Sequence, residues 1–186
     1  MLKKSLVLIR SLALVISTNI VPASAEPISG YSSILALANN MYVCAENYGN
    51  DPLVANRSTA SDWEAFKIIY NSDGTVSFLS QISNKYVSAD LNIGGQLIAN
   101  RTAIDTWEKF RLIDLGDGKF AILALANNMY VCADLNQGAV LYANRSTIDE
   151  WETFRISQFG GSAPSSGYTR LVWSDEFNGT SLDTSN

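Results

Sequence analysis

The tetrapeptide Trp63-Glu64-Ala65-Phe66 returns as Trp107-Glu108-Lys109-Phe110 and again as Trp151-Glu152-Thr153-Phe154, each 44 residues after the last. Almost every other landmark between Gly30 and Ile156 keeps the same step. Gly30, Gly74 and Gly118 head the units; Asn40, Asn84 and Asn128, then Tyr42, Tyr86 and Tyr130, follow. The acidic position is Glu46, Asp90 and Asp134, and an Ala-Asn-Arg triplet ends on Arg57, Arg101 and Arg145. Residues 34–45 and 122–133 are identical. Self-similarity at a fixed period of this length is internal triplication.

Each unit reads as four short strands. In the first, Ser32–Ala38 is apolar, Asn39-Asn40 is a turn signal, Met41–Ala45 resumes a strand and Asn47–Asp51 breaks it. Leu53–Ala55 is a short third strand and Arg57–Asp62 a polar loop. Ala65–Tyr70 is the fourth strand, with Phe66, Ile68 and Tyr70 on one face by period-2 alternation. Asn71-Ser72-Asp73-Gly74 and Asp114–Gly118 are closing turns. No stretch sustains a 3.6-residue apolar period, so no helix is expected. Three units of four strands, with no capping segments, argue against a solenoid and for closure into a barrel without exposed edges. The expectation is an all-β fold of twelve strands, a β-trefoil.

Composition narrows the function. Of 186 residues 47% are hydrophobic and 17% charged, as in ordinary globular domains. The chain has no His, which excludes His-dependent catalysis and most zinc sites. A net charge of −5 argues against a nucleic-acid or anionic-membrane partner. Lys3 and Lys4, an apolar run from Leu6 to Ile20 and Ala23-Ser24-Ala25 form a signal-peptide pattern over residues 1–25. Arg10 interrupts the run and leaves it short of a spanning helix. Loss of Lys3, Lys4 and Arg10 takes the net charge from −5 to −8, so an acidic, secreted domain is expected. Cys44 and Cys132 occupy equivalent positions in the first and third units, with Ser88 in the second. Equivalent positions about a threefold axis need not lie within disulfide reach, so two free thiols on strands are expected.

The series Asn-x-Tyr-Val-x-Ala-(Asp/Glu), Ala-Asn-Arg and Trp-Glu-x-Phe resembles the repeats of fascin-like β-trefoils. The Gln-x-Trp motif of ricin-type trefoils does not occur. The resemblance covers residues 29–157 and implies a carbohydrate-binding module of the kind that binds β-glucans beside glycanase domains. Residues 158–167 contain the Gly/Ser/Pro linker Gly160-Gly161-Ser162-Ala163-Pro164-Ser165-Ser166-Gly167. Residues 168–186 include Leu171-Val172-Trp173-Ser174-Asp175-Glu176-Phe177 and Asn178-Gly179, and resemble the opening of a glycoside hydrolase family 16 domain. The Glu-x-Asp-x-x-Glu strand that carries that family's catalytic carboxylates is not in the sequence. The chain is therefore read as a fragment, non-catalytic in itself, of a secreted β-glucanase. Asp175 and Glu176 are adjacent and point apart along a strand, so they are given no catalytic role.

Candidate binding residues follow from the repeat. Residues three apart on a strand face opposite sides, and Phe66 and Phe110 run on into the apolar Ile68 and Leu112. Phe66, Phe110 and Phe154 are therefore core, and Trp63, Trp107 and Trp151 belong at the surface unless a turn runs into the motif. An indole face beside carboxylates suits the apolar face of a pyranose and its hydroxyls. The competing reading buries the tryptophans. Glu64, Glu108 and Glu152 are either turn-binding groups partnered by Arg57, Arg101 and Arg145 or, as the resemblance implies, ligand contacts. Glu46, Asp90 and Asp134 join the candidate set, although acids in such turns are usually solvated. Tyr42, Tyr86 and Tyr130 serve packing as readily as binding. The Asn-x-Ser/Thr triplets at Asn56, Asn100 and Asn144 are read as turn architecture. Neither cofactor nor metal is expected. The expected partner is a β-glucan or related polysaccharide bound by a monomer; the alternative is a protein-interaction trefoil without a glycan ligand.

Overall fold

The structure is a computed structural model that describes residues 30–159, and the signal-peptide, linker and family 16 expectations lie outside these residues. It is all-β, with twelve strands. They are β1 (Tyr31–Ala36), β2 (Met41–Ala45), β3 (Leu53–Arg57), β4 (Ala65–Tyr70), β5 (Val76–Ser80) and β6 (Tyr86–Asp90), then β7 (Gln96–Arg101), β8 (Phe110–Gly116), β9 (Lys119–Ala124), β10 (Met129–Asp134), β11 (Val140–Arg145) and β12 (Phe154–Gln158).

Six strands close a ring. β1 pairs β4, β4 pairs β5, β5 pairs β8, β8 pairs β9, β9 pairs β12 and β12 returns to β1, all antiparallel. Closure leaves no open edge in this layer. The other six strands form hairpins β2–β3, β6–β7 and β10–β11. These meet one another through Val54↔Val140, Tyr142↔Gln96 and the bridge Pro52↔Ile98, which builds a three-hairpin cap. A six-stranded barrel capped by three hairpins is the β-trefoil expected from the repeat.

The register shows what the 44-residue step achieves. Phe66 faces Ser32 and Ser80, Phe110 faces Val76 and Ala124, and Phe154 faces Phe120 and Ala36. All three Phe are 0% exposed. Around them pack Ile34, Phe78 and Ile122 from the barrel, with Val43, Val87, Val131, Leu53, Leu97 and Leu141 from the cap. Small residues let the hairpins approach, since Ala45, Ala55, Ala89, Ala99, Ala133 and Ala143 are all buried. Burial of one such Phe contributes on the order of 2–3 kcal/mol, so the three together are a large part of a domain's net stability.

The turns obey local chemistry. Asn40, Asn84 and Asn128 take φ of 56°, 51° and 57°, the left-handed region that Asn tolerates better than most residues. The preceding side chains of Asn39, Ser83 and Asn127 donate to the carbonyls of Ala55, Ala99 and Ala143, which ties each turn to its own hairpin.

Three expectations are corrected. β1 ends at Ala36 rather than Ala38, because residues 37–40 already form the turn into β2. β3 runs on to Arg57, which places the arginine on a strand end rather than in a loop. The described residues are also not free of helix. Single 3-10 turns stand at Asp62–Glu64, Leu91–Ile93, Thr106–Glu108, Leu135–Gln137 and Glu150–Glu152, and one further turn spans Glu46–Gly49. Segments of three or four residues are too short to show a 3.6-residue period.

Candidate functional site

Trp63-Glu64, Trp107-Glu108 and Trp151-Glu152 belong to 3-10 turns that feed the following strand. The strand parity used to separate Trp from Phe therefore does not apply within the motif; the turn runs into it. Its outcome for exposure nevertheless holds in part, since all three Trp are half-buried and all three Phe fully buried.

The glutamates close the turns. Glu64 Oε2 accepts from the Ser61 amide at 2.8 Å and its hydroxyl at 2.7 Å. Glu108 and Glu152 accept from the Asp105 and Asp149 amides, each at 2.9 Å. The Ser61, Asp105 and Asp149 side chains accept in return from the backbone amides of Glu64, Glu108 and Glu152, which completes a capping box in every repeat. The second oxygen of each Glu faces an arginine: Arg57 at 3.9 Å, Arg101 at 3.8 Å and Arg145 at 3.6 Å. Their side chains are only 1–5% exposed. Glu64, Glu108 and Glu152, to which the resemblance gives a ligand role, are buried in this geometry. They hold the turn and the arginine.

Each arginine bridges to a second acid. Arg57 Nη2 lies 2.9 Å from Glu46, Arg101 Nη2 2.9 Å from Asp90 and Arg145 Nη2 3.2 Å from Asp134. Asp90 and Asp134 are buried and also accept from the Asn92 and Asn136 amides, so they are structural anchors rather than solvated turn acids. The arginines are over a third exposed, so these ion pairs give orientation more than stability. The resulting frame is the same at all three stations: two carboxylates at one guanidinium, with the motif tryptophan next in the chain to one of them.

The stations differ above the arginine. Arg101 stands over the Trp107 ring at 5.8 Å and Arg145 over Trp151 at 6.0 Å. Trp63 instead meets Tyr48, with ring centroids 4.8 Å apart and planes tilted by 50°. Tyr48 is 60% exposed. It reaches this position because Asn47 and Tyr48 both adopt left-handed backbone, φ 50° and 55°, in the Glu46–Gly49 turn. For an ordinary residue that conformation costs about 1–2 kcal/mol, so the surroundings must hold it. The third station opens on a surface hollow of about 340 Å³ lined by Arg145, Thr147, Asp149, Glu150, Trp151 and Glu152.

Other candidates fall into place. Asn56 donates to Glu46 at 2.8 Å, and Asn144 accepts from the Cys132 thiol at 3.4 Å, so these Asn serve the turn architecture. Tyr42, Tyr86 and Tyr130 are half-buried at the head of their hairpins. Cys44 and Cys132 are free and buried. Burial, with the Glu64 carboxylate beside it, pushes the Cys44 thiol far up, and burial pushes Cys132 up to about 11. Among the described residues no cluster of three or more acids or cysteines is placed to hold a metal ion. Sequence reasoning missed Tyr48, although a signal was available: Glu46-Asn47-Tyr48-Gly49 departs from the Asp-Leu-Asn-x-Gly of the other two repeats.

No family model matches the chain, and no curated protein matches it. Solved structures do. The chain is similar to the designed threefold-symmetric protein ThreeFoil at a TM-score of 0.61 and 16% identity, over 68% of this chain and 96% of that one. It is similar to an exo-β-1,3-galactanase from Clostridium thermocellum at 0.63 and 11%, over 71% of this chain and 31% of the galactanase. A third neighbour is the ricin B-like lectin of Macrolepiota procera in complex with lactose, at 0.57 and 11%, over 69% and 95%. At such identities the likeness is one of fold, and the fold is the β-trefoil. It does not single out the fascin-like kind, and the chain spans about a third of the galactanase.

Proposed function

We propose that residues 29–157 form a glycan-binding module whose ligand is a β-glucan or a related neutral polysaccharide. The observation that carries this is the threefold station of a half-buried tryptophan next to a glutamate that, with a second carboxylate, holds an arginine. An indole offers a face to the apolar side of a pyranose, while guanidinium and carboxylate groups suit hydroxyls. Each station holds more carboxylates than cations, which disfavours anionic glycans. The lectin neighbour in complex with lactose and the galactanase neighbour support saccharide binding on this fold. Three stations on one rigid barrel suit a repeating polymer, because the second and third contacts form at high effective concentration. With the signal-peptide pattern and the family 16 resemblance, the module would direct a secreted endo-β-glucanase to its substrate. The direct contacts assigned are Trp63, Trp107, Trp151, Arg57, Arg101, Arg145 and Glu46, with Asp90, Asp134 and the three motif glutamates positioning them.

Affinity electrophoresis in laminarin and in β-1,3-galactan tests the proposal. Retardation is expected, lost in the triple Trp→Ala variant and weakened in each single one. Unaltered mobility of the folded chain across neutral β-glycans would falsify it. A second reading, a protein-binding trefoil, draws on the exposed Leu91, Ile93 and Leu135 on the cap turns. A partner captured through those residues, with no response to glycans, would favour it.

A further inference from the structure

We propose that the three stations are not equivalent, and that the first is the tight site, where Tyr48 and Trp63 together grip one neutral pyranose ring. The inference rests on the glycan reading and adds to it a residue, Tyr48, and a rank order.

The first argument is the aromatic surface. At the second and third stations an arginine already occupies the ring face, 5.8 Å over Trp107 and 6.0 Å over Trp151. That guanidinium adds charge rather than apolar area to the ring. At the first station the neighbour of Trp63 is a second ring, 4.8 Å away and tilted by 50°. Two aromatic planes meeting at an angle form a wall that contacts a pyranose on its face and on one edge, and thereby cover more apolar area than one indole.

The second argument is preorganisation. Gly49, φ 75°, is pressed against the neighbouring repeat: a Cβ there would lie 2.4 Å from the Ala99 carbonyl oxygen and 2.9 Å from the Ser83 Cβ. The turn is therefore clamped on one side, and the left-handed Asn47 and Tyr48 carry the ring outward on the other. In the other repeats the position of Tyr48 is taken by Asn92 and Asn136, whose amides are bound to Asp90 and Asp134. Glu46 spends its oxygens differently, on the Asn56 amide at 2.8 Å and the Arg57 guanidinium at 2.9 Å. Its side chain is 24% exposed, against 12% for Asp90 and 7% for Asp134. The first station thus offers a ring wall and the most exposed of the three acids, which suits stacking on one side of a sugar and hydroxyl donation on the other.

Calorimetric titration of the full chain with laminaritetraose and with a β-1,3-galactotetraose reads the site classes directly. One tight class of stoichiometry near one, and a weaker class, are expected for at least one of the two sugars. Tyr48→Asn suits the left-handed backbone and so keeps the turn folded; it should weaken the tight class at least tenfold. Tyr48→Phe, which keeps the ring and loses only the hydroxyl, should retain it. Three equal sites in the unaltered chain, or a tight class that survives Tyr48→Asn, overturns the inequivalence while leaving the glycan reading standing. Absence of heat and of retardation with both sugars sinks both.

Discussion

Glu64, Glu108 and Glu152 each accept from a turn amide through one oxygen and face an arginine at 3.6–3.9 Å with the other, which in Glu64 is buried and makes no hydrogen bond. Removing one strands the turn amide and leaves the arginine with one acid instead of two. Glu108→Ala should therefore lower stability by about 2 kcal/mol, within the range for lost caps and broken polar networks. Glu108→Gln still accepts from the Asp105 amide, so about half that loss is expected. Urea unfolding at neutral pH measures both, and an Ala variant as stable as the parent would show that the capping box is dispensable. At this scale the sequence revealed that Glu needed a partner if it lay with Phe, and it named Arg57, Arg101 and Arg145. It could not choose between that role and a ligand contact, because the choice depends on exposure. Trp exposure was reached by a strand argument applied to residues that form a turn.

At the scale of elements, the cap turns depend on backbone that only some residues accept. Gly94 and Gly95 both have positive φ, 74° and 80°. Around Gly94 there is open space, whereas a Cβ on Gly95 would stand 2.8 Å from the Ala143 carbonyl. Gly94→Ala should thus cost only the conformational penalty, about 1 kcal/mol, and Gly95→Ala distinctly more, about 2–3 kcal/mol. The third repeat already carries Ala139 at the place of Gly95, with φ 63°, so left-handed backbone there can bear a methyl in that repeat. Chemical denaturation of the two variants side by side would expose an error if they proved equal. Most strands were legible as elements because alternation and Asn/Gly turn signals recur three times. The one-turn helices were not, since three residues carry no period. Nor was the left-handed turn at Asn47 and Tyr48, where a bulky residue sits in a conformation that its type disfavours.

For the whole molecule, three repeats share one core, so unfolding should be a single transition that exposes both cysteines together. In the native protein Cys44 and Cys132 should be inert to Ellman's reagent at pH 8, and both should react after denaturation. Fast reaction of one thiol alone would reveal local opening of its repeat. The raised thiol pKa also sets a direction with pH. The unfolded thiols ionise near 9.0, while folded Cys132 holds its proton up to about 11. The unfolded state therefore gains by losing protons across that interval, and stability falls as pH rises from 9 towards 11.

The 44-residue period, the strand count, the core phenylalanines and the twelve-stranded β-trefoil were all contained in the sequence, because a repeat that cannot bury its apolar face alone must bury it against its copies. What the tertiary structure decided is how the copies differ. Near-identical repeats predict three like stations. The path of one four-residue turn, packed through Gly49 against Ala99 and Ser83 of the next repeat, gives the first station a second aromatic ring. That packing joins residues 34 and 50 apart in the chain, so the departure of Glu46-Asn47-Tyr48-Gly49 from the other repeats marks the turn but not its path.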